Sequence, residues 1–171
     1  MILSAQTIRK AARLGLVLPF RERFKDKLGN SGGLGPCGYD VTLDKELRIK
    51  PGDFVLAATN EHFVVPVDVM FVVHDKSTWI RQGVAVHNTV AEPGWRGFLT
   101  LEISHHGTKE IVIPAGCSIA QVVFHLLDSN TEEPYDGKYQ DQPAGPQPAK
   151  FYGDDEDEKG GDNDEKIEGT A

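Results

Sequence analysis

Six consecutive residues, Lys76, Ser77, Thr78, Trp79, Ile80 and Arg81, concentrate groups suited to holding phosphate. A cation stands at each end, with two adjacent hydroxyls between them. Hydroxyls and backbone N–H groups supply donors, while Lys and Arg supply charge. On its own this pattern is weak, because Lys and Arg beside Ser or Thr more often mark a solvated helix start. A second candidate begins at Glu92-Pro93-Gly94 and runs into Phe98-Leu99-Thr100-Leu101-Glu102-Ile103. There a tight turn feeds a strand that carries one carboxylate. Strict alternation puts Leu99, Leu101 and Ile103 on one face and Phe98, Thr100 and Glu102 on the other. Taken alone, Glu102 would simply sit on a solvated face.

Metal chemistry finds little purchase. A zinc deaminase needs a His or Cys, a proton-carrying Glu and a paired C-x-x-C, and the chain has only Cys37 and Cys117. The six histidines (62, 74, 87, 105, 106 and 125) never fall in H-E-x-x-H spacing. His105-His106 falls at a turn, where both rings are expected in solvent. No zinc site is expected, and neither a P-loop nor a G-x-G-x-x-G is present.

The elements that must position these groups are mostly strands. Ser4 followed by AQTIRKAARLG reads as one helix, with the Ser4 hydroxyl capping a free N–H of its first turn. Ile8, Ala11 and Ala12 share a face. Leu16 to Phe20 is expected to be extended. Arg21 to Pro36 mixes charge with glycine and reads as a mobile loop. From Tyr39 to Asp128 come short apolar runs at 54–58, 62–65, 69–73, 98–103, 110–113 and 119–127, separated by turns such as Lys50-Pro51-Gly52-Asp53. One helix followed by closely spaced strands predicts a mainly β fold, a sandwich or barrel of jelly-roll type. Beyond Asp128 the periodicity decays, leaving two tyrosines and two glutamines in 133–142 and an extended Pro-rich run from Pro143 to Pro148.

The chain's 171 residues suit one domain. Its net charge of −8 is concentrated: nine Asp or Glu and two Lys between Gly153 and Ala171 contribute −7, leaving −1 for the other 152 residues. The expected division is a folded domain over 1–152 and a disordered acidic tail over 153–171. A near-neutral body lacks the cationic surplus of a duplex-binding face, so no nucleic-acid partner is expected. No apolar run approaches the roughly 20 residues of a membrane helix, and the N-terminus is a poor signal peptide. With two cysteines and no disulfide framework, the expected location is the cytoplasm.

In order, these stretches resemble the dCTP deaminases of the trimeric dUTPase-like superfamily. The resemblance is carried by MILSAQTIRKAARLGLVLPF at the start, GYDVTL (38–43), KPGDFVLAATNEHFVVP (50–66) and KSTWIRQGV (76–84). EPGWRGFLTLEI (92–103), AGCSIAQVVFHLL (115–127) and PYDGKYQDQPAGP (134–146) complete it. It spans nearly everything from Met1 to about Phe151. It implies a distorted jelly-roll subunit, a homotrimer with active sites at subunit interfaces, and dCTP or dUTP as substrate. Lys76 to Arg81 would contact phosphate and base, Glu92 the deoxyribose, and Thr100, Leu101 and Glu102 the pyrimidine. Tyr135, Lys138 and Gln142 would close over the triphosphate. Glu102, Ser77 and Arg81 would be the catalytic set, with Mg²⁺ carried on the triphosphate. Lys76 stands where the family commonly has Arg, and Glu92 where it usually has Asp. The four residues between His87 and Glu92 replace a longer loop. The implied reaction is deamination of dCTP to dUTP and ammonia. The alternatives are dUTP pyrophosphatase, a bifunctional enzyme forming dUMP, or a non-catalytic nucleotide binder.

Overall fold

Short β-branched and aromatic runs can bury a face only by stacking on one another, and here they do so in two main layers. The computed structural model describes residues 1–87 and 90–151. Helix α1 (Ala5–Ala12) precedes β1 (Val17–Leu18), β2 (Phe24–Lys25), β3 (Ser31–Leu34), β4 (Tyr39–Thr42), β5 (Leu47–Ile49), β6 (Phe54–Val64) and β7 (Val69–Asp75). A single helical turn, α2 (Ser77–Ile80), leads into β8 (Val84–His87), β9 (Val90–Ala91), β10 (Arg96–His105), β11 (Ile111–Ile113) and β12 (Ser118–Leu126). One sheet runs β1-β6-β10-β8, another β2-β3-β4-β12-β7-β9, and β11 pairs with β5. Every paired strand is antiparallel. The mainly β expectation holds, but the sheets among the described residues do not close into a barrel.

Aromatic rings join the two layers. Phe63 of β6 lies 4.9 Å from Phe71 of β7, which meets Phe124 of β12 at 5.6 Å and Trp95 at 6.2 Å between centroids. All but Trp95 are fully buried, and such tilted and edge-on pairs add to their area burial. Helix α1 buries Ile8 and Ala12, with Ala11 packed alongside. No helix among the described residues is long and apolar enough to cross a membrane.

Several local expectations are corrected. Ser4 occupies the N-cap with an extended backbone, but its hydroxyl meets Thr7 Oγ1 at 3.2 Å and caps no N–H. The segment 21–36 is a built hairpin at the sheet edge. Asp26 Oδ1 accepts from the Leu28 and Asn30 N–H groups at 2.9 Å, and its Oδ2 accepts from Ser118 N–H at 3.0 Å. Gly33 takes φ +73, and a Cβ on Gly32 would stand 2.4 Å from the Phe24 ring. The glycines there permit close packing, so their freedom is spent on a fixed shape. The runs 54–58 and 62–65 form one strand with an irregularity at Thr59–Glu61 opposite Leu99. His105 is buried, its Nε2 paired with Lys109 O at 2.7 Å, while His106 stays exposed. The expected tail at 153–171 and the pair Asn88-Thr89 lie outside the described residues.

Candidate active site

Strand β10 pairs with β6 along most of its length and with β8 from Glu102 to His105, so Glu102 is fixed from both sides. Glu102 stands opposite Leu56 on one neighbour and His87 on the other. Its carboxyl is half-buried and faces a cavity of about 450 Å³, shared with Thr100, Leu99, Trp95 and Glu92. Burial raises the Glu102 pKa, with a backbone hydrogen bond and the nearby His87 pulling it back in part. A carboxyl of raised pKa is better suited to both take and return a proton than an ordinary one. The expected alternation holds for Thr100 and Glu102, which face the cavity, and for Leu101 and Ile103, which are fully buried in the core. Leu101 can therefore meet a ligand only through its backbone.

Leu99 breaks the alternation and reaches the cavity as well, because β6 bulges opposite it. The Leu99 N–H donates to Thr59 Oγ1 at 3.2 Å, and that hydroxyl donates to Glu61 O at 2.9 Å. The buried Glu61 carboxyl accepts from the Thr42 N–H and the Thr42 hydroxyl, both at 2.9 Å. Desolvation pushes its pKa up to about 7 against those two donors.

The segment after β12 covers the cavity as a strap. Gln142 bridges in parallel to Gly97, whose φ of +147 and missing Cβ leave room for the Gln142 backbone. Gln142 Nε2 donates to Phe98 O at 2.7 Å and to Thr100 Oγ1 at 3.0 Å. The Gln147 N–H donates to the same Thr100 oxygen at 2.9 Å. Trp95 Nε1 donates to Tyr139 O at 2.8 Å, and the exposed Arg96 forks onto Asp141. Tyr135, Tyr139 and Gln142 line the cavity. Lys138 does not line it; its ammonium donates to Lys150 O and lies over the Tyr139 ring.

The 76–81 segment opens onto a different cavity of about 280 Å³, lined by Lys76 and Ser77 with Asp40, Asp75, Arg23 and Gln121. Lys76 is buried, and its ammonium is 2.7 Å from Asp40 Oδ2 and 3.4 Å from Ser31 Oγ. Trp79 is in the core, its Nε1 donating to Ser118 O at 2.7 Å. Thr78 is half-buried; Ile80 and Arg81 are exposed, and Arg81 forms no ion pair among the described residues. Within one chain, then, Glu92, Thr100, Glu102, Tyr135 and Gln142 come together. Lys76 and Ser77 line the second cavity, and Arg81 lines neither.

Residue patterns did not reveal the contributions of Leu99, Tyr139 and Gln147 to the first cavity, or the hold of Asp40 on Lys76. The tyrosine and glutamine content of 133–142 was the signal for Tyr139; nothing marked Gln147.

A family model described as dCTP deaminase-like matches residues 42–127, about half the chain. A dCTP deaminase of Wolbachia sp. subsp. Brugia malayi is 32% identical over 165 residues, covering 78% of this chain and 89% of that one. The chain belongs to the dCTP deaminase-like family. A further relative in the family, named dCTP deaminase, dUMP-forming, from Methanosphaera stadtmanae, is 37% identical over 118 residues, covering 65% of this chain and 59% of that protein. The solved 2′-deoxycytidine 5′-triphosphate deaminase of Agrobacterium tumefaciens superposes with a TM-score of 0.62 at 17% identity, over 73% of this chain and 48% of that one. That last likeness speaks for the fold alone.

Proposed function

We propose that the chain is a hydrolytic deaminase that converts dCTP and water to dUTP and ammonia. The observation that carries this reading is Glu102: a half-buried carboxyl of raised pKa, two residues from Thr100 in a cavity partly covered by a strap. Glu102 would take a proton from water as the oxygen attacks C4 of the cytosine. It would deliver that proton to N3, and pass the second water proton to the amine, which leaves as ammonia while the C4 carbonyl forms. Ser77 and Arg81 would hold the attacking water and offset developing charge. Glu92 would meet the deoxyribose, Thr100 and the Leu101 backbone the base, and Tyr135, Lys138 and Gln142 the triphosphate with its Mg²⁺. The proton work falls to Glu102, so the reaction is written without a protein-held zinc.

Ser77 and Arg81 stand apart from the Glu102 cavity within one chain, so the reading includes a homotrimer in which a neighbour supplies them. Exposed apolar side chains at the cavity mouth support it: Phe54 is 61% exposed, Val90 46% and Leu56 39%. Apolar groups clustered in that way favour a covering partner. The cytoplasm is the compartment proposed for this chemistry.

Purified protein given dCTP and Mg²⁺ is expected to release ammonia and dUTP, resolved by chromatography. Pyrophosphate from dUTP with no ammonia from dCTP would overturn the deaminase reading in favour of a dUTP pyrophosphatase. A second reading, deamination followed by hydrolysis to dUMP, draws on the dUMP-forming relative and on Glu92, a second carboxylate lining the Glu102 cavity. It predicts dUMP, pyrophosphate and ammonia together from dCTP.

A further inference from the structure

We propose that Arg23 is a phosphate-binding residue, aimed by the β2–β3 hairpin into the cavity that holds Lys76 and Ser77. This extends the nucleotide reading above and rests on it. Three charged residues lead into the hairpin, and two of them are committed to holding it. Glu22 takes a two-pronged hydrogen bond from Arg9, at 2.6 and 2.9 Å. Arg21 lies over the Phe24 ring, 3.4 Å from its centroid, while its carbonyl accepts from Leu34 N–H at 3.1 Å. Arg23 alone of the three is left over: it is exposed, forms no ion pair among the described residues, and lines the cavity.

The charges around that cavity give Arg23 its importance. Lys76, the cation of the segment expected to grip phosphate, is already neutralised by Asp40. Asp75 lines the same space, its Oδ1 accepting the Val86 N–H at 2.8 Å. Lys76, Asp40 and Asp75 together leave the cavity with net negative charge, which repels a polyphosphate. Arg23 brings it to neutrality and adds a planar fork of donors that fits two phosphate oxygens at once. Ser77 supplies a hydroxyl beside it. The anchoring of the hairpin by Asp26, Gly32 and Gly33 means that the guanidinium is presented from a fixed backbone.

The test compares wild type with Arg23→Gln, Arg23→Lys and a control of equal charge loss outside the cavity lining, Arg13→Gln at the C-cap of α1. Steady-state kinetics with dCTP and calorimetric titration with inorganic tripolyphosphate are run on each full-length protein. Arg23→Gln is expected to raise the dCTP KM by about 10- to 100-fold and weaken tripolyphosphate binding by a similar factor, with kcat within about twofold, the range for one charged hydrogen bond. Arg23→Lys is expected to recover only part of the loss, because it restores charge without the fork. Arg13→Gln is expected to match wild type. If Arg23→Gln leaves both KM and tripolyphosphate affinity unchanged, or if Arg13→Gln shifts them equally, the assignment is overturned. A protein that binds tripolyphosphate through Arg23 but releases no ammonia from dCTP would keep this site and sink the deaminase reading. Wild type that turns over dCTP normally but binds no tripolyphosphate would do the reverse.

Discussion

The two cavities differ in how complete they are. The one around Glu102 is furnished by a single chain: β10 supplies the carboxyl, β6 the bulge that brings Leu99 in, and the strap covers the opening. The one around Ser77 is half-neutralised from within, since Lys76 is spent on Asp40 and Arg81 faces solvent. One chain sets the proton carrier in place, whereas polyanion binding needs charges that arrive from elsewhere. The first cavity draws its lining from β6, β7, β9, β10 and the strap; the second draws on the hairpin, β4, β7, β12 and the α2 turn.

The largest expected effect separates these regions directly. Glu102→Gln is expected to lower the rate of ammonia release from dCTP by about 10²- to 10⁴-fold, the usual worth of a positioned acid–base group. Its melting temperature should stay close to that of wild type, and a large drop in both would recast Glu102 as structural. Next in size, Asp40→Ala strands a buried ammonium and is expected to cost about 3–5 kcal/mol in chemical denaturation. The double change Asp40→Leu with Lys76→Met should recover most of that stability. If Asp40→Ala costs nothing, the pair is not the buried one described, and the contrast between the cavities weakens.

Glu61 gives a third, smaller effect behind the Glu102 cavity. Its folded pKa of about 7 lies above the ordinary 4.5, so the folded state holds the proton more tightly than the unfolded chain. Stability is then fullest below about 4.5 and is lost as pH rises through about 7, by something on the order of 3 kcal/mol. Glu61→Gln removes that slope. Its stability relative to wild type should therefore improve between pH 5 and pH 8 in paired thermal melts. A constant difference across that range would show that Glu61 does not titrate there. Smallest of all, Arg96→Gln breaks an exposed ion pair between β10 and the strap. It should move the melting temperature by less than about 2 °C, leaving the backbone seat of Gln142 on Gly97 to hold the strap.

Much of the fold could be read along the chain because its signals are local. The α1 helix, the turn at Lys50–Asp53 and the strands of 69–73, 98–103 and 119–127 follow from periodicity within a few residues. The shared face of Thr100 and Glu102 follows from the two-residue period of a strand. What escaped depends on partners distant in sequence. The 21–36 segment looked loose because glycine usually means freedom, yet Gly32 is small so that Phe24 and Ser118 can approach. His105 looked solvated beside a turn, but Lys109 O accounts for its buried nitrogen. Lys76 looked available to a ligand because Asp40, 36 residues earlier, gave no sign in the pattern of its contact. Leu99 entered the cavity because of a bulge on a neighbouring strand.

The strap also settles the manners of one hydroxyl. Oxygen Oγ1 of Thr100 has two lone pairs and one hydrogen, and both lone pairs are taken, one by Gln142 Nε2 and one by the Gln147 amide. The glutamine cannot be turned over without setting its oxygen against the Phe98 carbonyl. Thr100 is left able to give and unable to receive. A ring seated against it is welcomed by a carbonyl or a bare ring nitrogen and refused by an N–H, and that preference disappears once the strap lifts away.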